Sequence, residues 1–596
     1  MLQIVKKLRV LLDKKQKRTM AGLMVLMIIG AFLQTAGVGM LVQAVNVIID
    51  PQVLEKSGLV RSFYDLLGCK DFKSFSITVM ALLVLTFAVK NLFLFVQQKL
   101  TFAFVYTNQF ATSERMMRNY LRRGYEFYLN ADTAVVQRSI TSDVNNMYAL
   151  ILALLQLLSD GVMSLFVVGY CLMTNGVMTM LLAASLVLLM ALIKSVLKPI
   201  MYKAGKDNQD YYSGLFKWIS QTVQGIKEVK VTGKEQYFVD EYRKCGSGYV
   251  SAVQRYSLYN NIPKLLIETV CIAVMMIYMI VLTLLGTATE NMLEVLSTLA
   301  AAAFVLLPAV NRINNQINSI AYFEPFFMGV SDNLQDEISE HKVDMSFATD
   351  EEKLPLHRSI ELKNIVYAYP NTDKLIFDHA SLTIPIGTSV GIVGTSGAGK
   401  STIVDILLGL LEVKEGSICA DGGEVKSRYR NWLKNIGYIP QMIFMLDDTI
   451  RRNVAFGVYD EKIDEDRVWE VLREAQLDEF VRALPEGLDT GIGERGIRLS
   501  GGQRQRIGIA RALYYDPEVL ILDEATSALD NDTEAAIMDS INRLHGKKTL
   551  VIIAHRLQTI EKCDLVYRVE DGQAVLERGS LDEKRQRMAS GDAPVE

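Results

Sequence analysis

Long apolar runs fill the first half of this chain, and they constrain its fold more than any other feature. A membrane-spanning helix needs about 20 mostly apolar residues. Six runs reach that length, at 19–48, 75–105, 146–173, 177–200, 262–286 and 290–325. The segments 106–145 and 201–261 between spans are charged and contain no proline. We therefore expect a polytopic α-helical membrane domain over 1–330, with long helices that continue beyond the lipid.

The residues before the first span are basic. Lys and Arg near a membrane favour the cytoplasmic side, so the first helix is predicted to run from inside to outside. The basic residues are Lys6, Lys7, Arg9, Lys14, Lys15, Lys17 and Arg18, against Asp13 alone. An even number of spans returns the chain to the cytoplasm, so both termini are expected there. Between the first two spans, residues 58–67 have the pattern of a short amphipathic helix.

Charge and cysteine content argue against several function classes. The formal net charge is −4, and no basic stripe with interleaved aromatic residues indicates a nucleic-acid partner. The six cysteines are scattered without a CxxC pair. Neither a zinc site nor a disulfide framework is therefore expected.

Ionisable side chains inside membrane spans are costly and usually functional. Here they are Lys90, Asp160, Lys194, Lys198, Lys264, Glu268 and Arg312. Counting residues along each span at 1.5 Å per residue places Lys90, Lys264 and Arg312 in the cytoplasmic half of the membrane. One interpretation is a basic, water-filled cavity for an anionic substrate. The other is a set of neutral pairs, for example Lys90 with Asp160 and Lys264 with Glu268, and both interpretations are open at this point.

The second half has the pattern of a soluble α/β domain. An acidic segment at 331–357 predicts a linker, the domain follows at 358–580, and 581–596 is a polar tail. Alternating runs at 359–369 and 380–386 predict strands. The run Thr388–Val393 is typical of a buried strand.

A phosphate-binding loop follows that buried strand and opens an apolar helix. It matches the pattern GxxxxGK[ST] in the strand–loop–helix context that this motif requires. Its residues are Gly394, Thr395, Ser396, Gly397, Ala398, Gly399, Lys400 and Ser401, with Thr402 next. The glycines let several backbone N–H groups face one phosphate, and the helix N-terminus adds its dipole. Lys400 is predicted to reach the β and γ phosphates of ATP, and the Ser401 hydroxyl to bind Mg²⁺.

Two acidic residues end a second buried run, Val519–Leu522. A central strand there delivers Asp523 and Glu524 to the carboxyl edge of the sheet, where ligands bind in open α/β folds. Asp523 is suited to hold Mg²⁺. Glu524 is placed to polarise the attacking water.

The segment Leu499–Gln503 resembles the signature of the ATP-binding-cassette (ABC) family. The resemblance extends along the whole cassette and assigns roles by position. It implies that Tyr369 stacks on adenine and that Gln441 senses Mg²⁺ and contacts the membrane domain. The loop 490–496 resembles the exporter loop that touches the coupling helices. The remaining family positions are Ser500, Gly501, Gly502 and Gln503 for nucleotide binding by the signature, Asp530 in the dimer-contact loop 527–530, and His555 as the switch histidine.

That resemblance implies an ATPase coupled to export. Glu524 and His555 are both present, so hydrolysis is expected. Family sites form between two cassettes and this chain has one, which favours a homodimer. The membrane half is similar to type IV exporters. The segments Ser139–Val144, Pro308–Ile313 and Tyr438–Gln441 resemble bacterial flippases of lipid-linked oligosaccharides, which implies the bacterial inner membrane.

Three substrate classes remain as alternatives to a lipid-linked oligosaccharide: drugs, lipid A-like lipids and peptides. A different class of function, an ATP-gated channel or a regulatory membrane protein, would carry the same cassette.

Overall fold

The computed structural model describes residues 2–49, 72–174, 176–284, 292–339, 352–523, 538–539, 541, 543–553, 560 and 562–578. These residues divide into two compact units. The first comprises 1–123 and 131–343, and the second comprises 124–130 and 344–596.

The first unit is helical in its described residues. Its helices are α1 (Leu2–Leu11), α2 (Lys14–Ile49), α3 (Phe72–Arg122), α5 (Thr133–Arg138), α6 (Val144–Thr174), α7 (Gly176–Gln224), α8 (Ile226–Thr232), α9 (Glu235–Leu284) and α10 (Met292–Ser339). A π-helical turn over Ser139–Asp143 joins α5 to α6. Such turns are rare and often occur at functional sites.

Five of the described helices are long and apolar enough to cross a membrane. They lie within Lys14–Gly37, Lys73–Arg122, Thr133–Gly169, Thr179–Gln224 and Glu235–Val281, and each overlaps a predicted span. The sixth predicted span, 290–325, falls in α10. It begins outside the described residues and stays a prediction, as does the 58–67 helix, which lies wholly outside them. Helix α10 also continues to Ser339, into the predicted linker.

Close helix contacts hold this unit together. A Cβ at Gly205 of α7 would lie 1.9 Å from the Tyr322 carbonyl oxygen of α10, so only glycine permits this crossing. The Tyr322 ring stacks on Tyr256 of α9 at a centroid distance of 4.0 Å. At the N-terminus, α1 buries Ile4 and Leu8 and pairs Lys7 with Asp332 of α10.

The described strands of the second unit form two sheets. Its strands are β1 (Ser359–Tyr367), β2 (Phe377–Pro385), β3 (Ser389–Val393), β4 (Glu415–Ala420), β5 (Gly423–Glu424), β6 (Ile436–Ile439), β7 (Val519–Asp523), β8 (Thr549–Ile553), β9 (Leu565–Glu570) and β10 (Gln573–Arg578). The described strands form an antiparallel sheet in the order β2-β1-β4-β5 and a second sheet in the order β10-β9-β3-β8-β7-β6. In the second sheet, only β10 among the described strands runs antiparallel to its neighbour.

Short helices complete the second unit. They are α4 (Tyr125–Asn130), α11 (Lys400–Leu407), α12 (Tyr429–Leu433), α13 (Ile450–Val454), α14 (Glu465–Glu474), α15 (Asp478–Arg482) and α16 (Gly501–Tyr514). Strands β3, β8 and β7 are neighbours, and Ile553 of β8 aligns with both Ile392 and Asp523. The parallel arrangement therefore brings three strand ends to one edge of the sheet, where the site is built.

Candidate functional site

The phosphate-binding loop curls between β3 and α11. Gly397 and Gly399 have φ angles of +81° and +103°, a region that side chains with a Cβ rarely adopt. A Cβ at Gly399 would also lie 2.8 Å from the Phe377 ring. The loop therefore depends on its glycines for both conformation and space.

Lys400 folds back over this loop. Its Nζ donates hydrogen bonds to the carbonyl oxygens of Gly394 at 3.0 Å and Thr395 at 3.1 Å. The residue is only 5% exposed, so its charge is held at the loop, beside the N-terminus of α11. This combination of ammonium group, loop amides and helix dipole is suited to a phosphate.

Ser401 and Asp523 meet across the end of the sheet. The Ser401 hydroxyl donates to Asp523 Oδ1 at 3.3 Å, and Asp523 is buried at the end of β7. Mg²⁺ is usually bound by one or two carboxylates together with substrate phosphates, so this pair fits the ion. Among the described residues, no group of three or more His, Cys, Asp or Glu side chains could hold a metal by itself.

Asp405 is a further acid at this site, and the sequence analysis did not select it. Burial, and then the nearby Asp523, raise the pKa of Asp405 to about 6. Asp405 lies four residues after Ser401 on α11, which places both side chains on one helix face. That spacing was the signal available in the sequence.

Tyr369 is connected to the loop through Thr402. The two hydroxyl groups lie 2.9 Å apart, and the Tyr369 ring packs edge-on against Tyr367 at 5.4 Å. The predicted stacking on adenine stays a prediction. The geometry does place this aromatic residue beside the phosphate-binding loop.

The signature begins helix α16. Ser500 is the N-cap and forms a capping box with Gln503, in which Gln503 N donates to Ser500 Oγ at 3.2 Å and Ser500 N donates to Gln503 Oε1 at 2.8 Å. Gly501 and Gly502 supply the first turn. Ser500 is exposed, so the positive end of this helix is accessible to an anion.

Gln441 and the loop 490–496 lie near the start of α16. The Gln441 carbonyl oxygen accepts a hydrogen bond from Gln505 Nε2 at 3.5 Å. The loop is tied to the segment before α13, where Ile492 N donates to the Asp448 carbonyl oxygen at 3.1 Å. The loop also accepts hydrogen bonds from charged side chains, since Arg498 Nη1 donates to the Gly491 carbonyl oxygen at 3.1 Å and Arg504 Nη1 to the Gly496 carbonyl oxygen at 3.3 Å.

Helix α4 also belongs to the second unit, although the sequence placed it in the membrane domain. Glu126 Oε1 accepts a hydrogen bond from Glu412 N at 3.1 Å. Burial, and then the charge of Asp405, raise the pKa of Tyr125. The packing of α4 was missed because its six residues carry no motif.

Three predicted residues lie outside the described part of the chain: Glu524, Asp530 and His555. Glu524 directly follows Asp523. His555 follows β8, which ends at Ile553 between β3 and β7. The described strands thus lead toward the same sheet edge, while the roles of these residues stay predictions.

In the first unit, the ion pairs among the described residues differ from the two pairs that the sequence suggested. Arg312 Nε donates to Asp160 Oδ1 at 2.9 Å between α10 and α6. The sequence had suggested Lys90 as the partner of Asp160. That pairing does not occur, and the Lys90 ammonium group of α3 instead lies 4.1 Å from the centre of the Phe87 ring.

The other predicted pair is also not formed. Lys264 and Glu268 are both exposed on described α9, and none of the ion pairs among the described residues joins them. Asp160 lies near the middle of the predicted span 146–173. The contact therefore brings Arg312 level with the middle of that predicted span, and its placement in the cytoplasmic half of the membrane stays a prediction.

Comparison with known proteins identifies the family. Residues 377–527 match the family described as ABC transporter, and residues 20–307 match the ABC transporter transmembrane region. The ATP-dependent lipid A-core flippase of Pseudomonas fluorescens is 32% identical over 423 residues, covering 71% of this chain and 68% of that protein. This chain belongs to the ABC transporter family.

Two further relatives of the transporter carry different names. The ATP-dependent lipid A-core flippase of Desulfotalea psychrophila is 30% identical over 468 residues, covering 78% of this chain and 79% of that protein. The heterocyst differentiation ATP-binding protein HepA of a Nostoc species is 34% identical over 362 residues, covering 61% and 58%.

A solved bacterial Atm1-family ABC exporter with ATP bound has the same fold. The TM-score is 0.76 at 22% identity, covering 98% of this chain and 100% of that one. The predicted fold class, a helical membrane domain fused to a nucleotide-binding cassette, is confirmed. This multi-pass transporter is thus an ABC-type ATPase that binds ATP and couples its hydrolysis to transport.

Proposed function

We propose that this transporter flips an anionic, amphipathic glycolipid of the lipid A class across the bacterial inner membrane. The names of its relatives carry this proposal, since proteins of about 30% identity over most of the chain are lipid A-core flippases. These names favour a lipid A-like substrate over the lipid-linked oligosaccharide that the sequence alone suggested.

The polar residues of the first unit support an anionic substrate. Lys90 and Lys264 form no ion pair within the described residues, and the Arg312 side chain remains 43% exposed beside Asp160. A charge in contact with lipid costs several kcal/mol, so we place these cations toward a cavity. A lipid A phosphate, with several anionic oxygens, suits them better than an uncharged drug.

In the cassette, we propose one role for each group at the sheet edge. Lys400 and the loop 394–399 bind the phosphates, Tyr369 stacks on adenine, and Ser401, Gln441 and Asp523 hold Mg²⁺. Bound Mg²⁺ supplies neutralisation of the β and γ phosphates. Glu524 orients and deprotonates the attacking water, and His555 contacts the γ-phosphate.

We further propose a homodimer with both cassettes and all chain termini in the cytoplasm. In it, the Ser500–Gln503 segment of one copy completes the nucleotide site of the other, and Asp530 contributes to the contact between cassettes. The exposed N-cap residue Ser500 supports this arrangement, because it leaves the positive end of α16 accessible to an anion such as the phosphates of ATP.

A cysteine pair tests the dimer. Ser396→Cys and Ser500→Cys are introduced into a variant that lacks the native cysteines and carries Glu524→Gln. We expect crosslinks between chains that increase with ATP. Crosslinks confined to single chains, or unaffected by ATP, would contradict the proposed site.

The substrate class is tested by ATPase stimulation in phosphatidylcholine proteoliposomes. The panel contains lipid A, a polyprenyl-pyrophosphate glycan, a peptide and uncharged drugs. We expect lipid A to stimulate most, and the Lys90→Gln, Arg312→Gln double variant to lose the stimulated-to-basal ratio. Strongest stimulation by the pyrophosphate glycan would restore the oligosaccharide alternative, and strongest stimulation by a drug or peptide would defeat the anionic-lipid proposal. Ion conductance in place of lipid movement would indicate a channel.

A further inference from the structure

Two polar contacts, one helical turn apart, join α6 and α10 within the predicted span 146–173. Arg312 Nε donates to Asp160 Oδ1 at 2.9 Å, and Gln316 Nε2 donates to Gln156 Oε1 at 2.7 Å. The residues on each helix are four positions apart, which is about one turn. These two side-chain contacts therefore fix the register of α6 against α10.

The two sides of the ion pair differ in exposure. The Asp160 side chain is 14% exposed, whereas that of Arg312 is 43% exposed. Arg312 Nη2 lies 3.7 Å from Met163 Sδ, which is a weak acceptor. Among the described residues, no oxygen accepts a hydrogen bond from either terminal nitrogen of Arg312, so one edge of the guanidinium group is held and the other is open.

A second ion pair in the same unit is enclosed more completely. Arg138 donates from Nε to Asp143 Oδ2 at 3.2 Å and from Nη1 to the Gln209 carbonyl oxygen at 2.9 Å. Its side chain is 11% exposed, and that of Asp143 is 2% exposed. Arg138 is enclosed by acceptors from its own and neighbouring helices, while Arg312 is not.

We propose that Asp160 is a positioning residue that holds Arg312 with its terminal N–H groups directed at a phosphate of the lipid substrate. This inference rests on the proposed function and adds a second residue to its substrate site. Arginine can bind one anion through Nε and another through its terminal nitrogens. Asp160 occupies the Nε edge, so the remaining edge is fixed in direction before the lipid arrives.

The proposal makes a prediction opposite to that of simple charge attraction. Asp160→Asn removes a negative charge beside Arg312 and makes the site more positive. If net charge alone bound the lipid, this change would strengthen binding. If Asp160 positions Arg312, the same change weakens binding, because the guanidinium group can then turn toward other acceptors.

The experiment uses the full-length transporter in phosphatidylcholine liposomes that contain increasing amounts of lipid A. We expect Asp160→Asn to raise the lipid A concentration for half-maximal ATPase stimulation on the order of tenfold, with the maximal stimulation largely kept. Asp160→Glu, which restores the carboxylate, is expected to recover part of the loss. An unchanged or lower half-maximal concentration in Asp160→Asn would overturn the proposal.

A charge swap separates positioning from a structural role. The double variant Asp160→Arg, Arg312→Asp restores an ion pair but places a carboxylate on the open edge. We expect it to remain unresponsive to lipid A, while thermal unfolding in detergent reports whether it folds. Recovery of lipid A stimulation by the swap would show that the pair is structural only. Should the swap fail to fold, the comparison of Asp160→Asn with Asp160→Glu decides the question.

Asp207→Asn is the matched control. Asp207 accepts from Arg255 Nη2 at 2.7 Å in another half-buried pair, with side chains 25% and 37% exposed, outside the predicted spans. It should leave the half-maximal lipid A concentration unchanged. If lipid A does not stimulate the wild type, the proposed function fails and this inference with it. If the wild type responds and Asp160→Asn responds equally, only the positioning role fails.

Discussion

The two units of this transporter assemble their charged residues in different ways. In the cassette, Lys400, Ser401 and Asp523 meet because the buried parallel strands β3 and β7 of one sheet end at the same edge. In the membrane unit, Arg312 and Asp160 come from helices that are distant in the chain and meet only because α6 packs on α10. Local motifs therefore specify the first site, whereas tertiary packing specifies the second.

The largest expected effect is a loss of ATP hydrolysis, caused by a change in the cassette alone. Glu524→Gln removes the proposed base next to Asp523, and ATP turnover should fall by roughly 10²–10⁴ while ATP binding remains. Steady-state ATPase and nucleotide binding on purified protein measure both. Glu518→Gln is the control, since it makes the same change just before the opposite end of strand β7. Near-normal turnover in Glu524→Gln would refute the assignment.

The next largest effect is a loss of stability, caused by a change in the membrane unit alone. Asp143→Ala leaves the buried Arg138 without its carboxylate, a change that costs about 3–5 kcal/mol in comparable pairs. Thermal inactivation in detergent should show a marked loss of stability. Asp240→Ala removes the partner of Arg243 from an exposed pair and should cost little. Equal losses in the two variants would mean that the Arg138 pair is not the structural centre we describe.

A smaller effect tests helix packing in the same unit. Gly205→Ala places a Cβ 1.9 Å from the Tyr322 carbonyl oxygen, and overpacking of this kind costs about 1–3 kcal/mol. Gly169→Ala in α6 is the control, because a Cβ added there would meet no atom within 4 Å. We expect a lower unfolding temperature for Gly205→Ala only. Identical unfolding temperatures would show that the crossing tolerates a side chain.

The smallest effect concerns Asp405 in the cassette. Its pKa is raised from 3.8 to about 6, so the folded state binds this proton more tightly and ionisation opposes folding. The opposition is absent below about pH 4 and complete above about pH 6. Without nucleotide and Mg²⁺, Asp405→Asn should therefore unfold at a higher temperature than wild type at about pH 8, with the difference lost near pH 4. A difference of the same size at both pH values would contradict this account.

The cassette was largely predictable from its sequence. The apolar runs before Gly394 and Asp523 predicted β3 and β7, and the glycine pattern predicted the loop, since both signals are local. The capping box at Ser500 and Gln503 was not predicted, although their three-residue spacing is its known signature. Asp405 was missed because its burial depends on neighbouring elements.

In the membrane unit, the sequence predicted the membrane spans but not the contacts between them. Hydropathy identifies a helix but not its partner, so Asp160 was paired with Lys90 as an example rather than with Arg312. The π-helical turn at Ser139–Asp143 and the assignment of α4 to the cassette unit carry no short-range signal. Both depend on contacts between segments distant in the chain.

ATP-driven movement of lipid A between bilayer leaflets tests the central claim most directly. Wild-type and Glu524→Gln transporters are reconstituted side by side with fluorescent lipid A, and the fraction accessible to a membrane-impermeant quencher is followed after addition of ATP and Mg²⁺. We expect ATP-dependent movement in the wild type and none above background in Glu524→Gln. Equal movement in the two proteins, or no movement of lipid A by a wild type that hydrolyses ATP, would contradict the account.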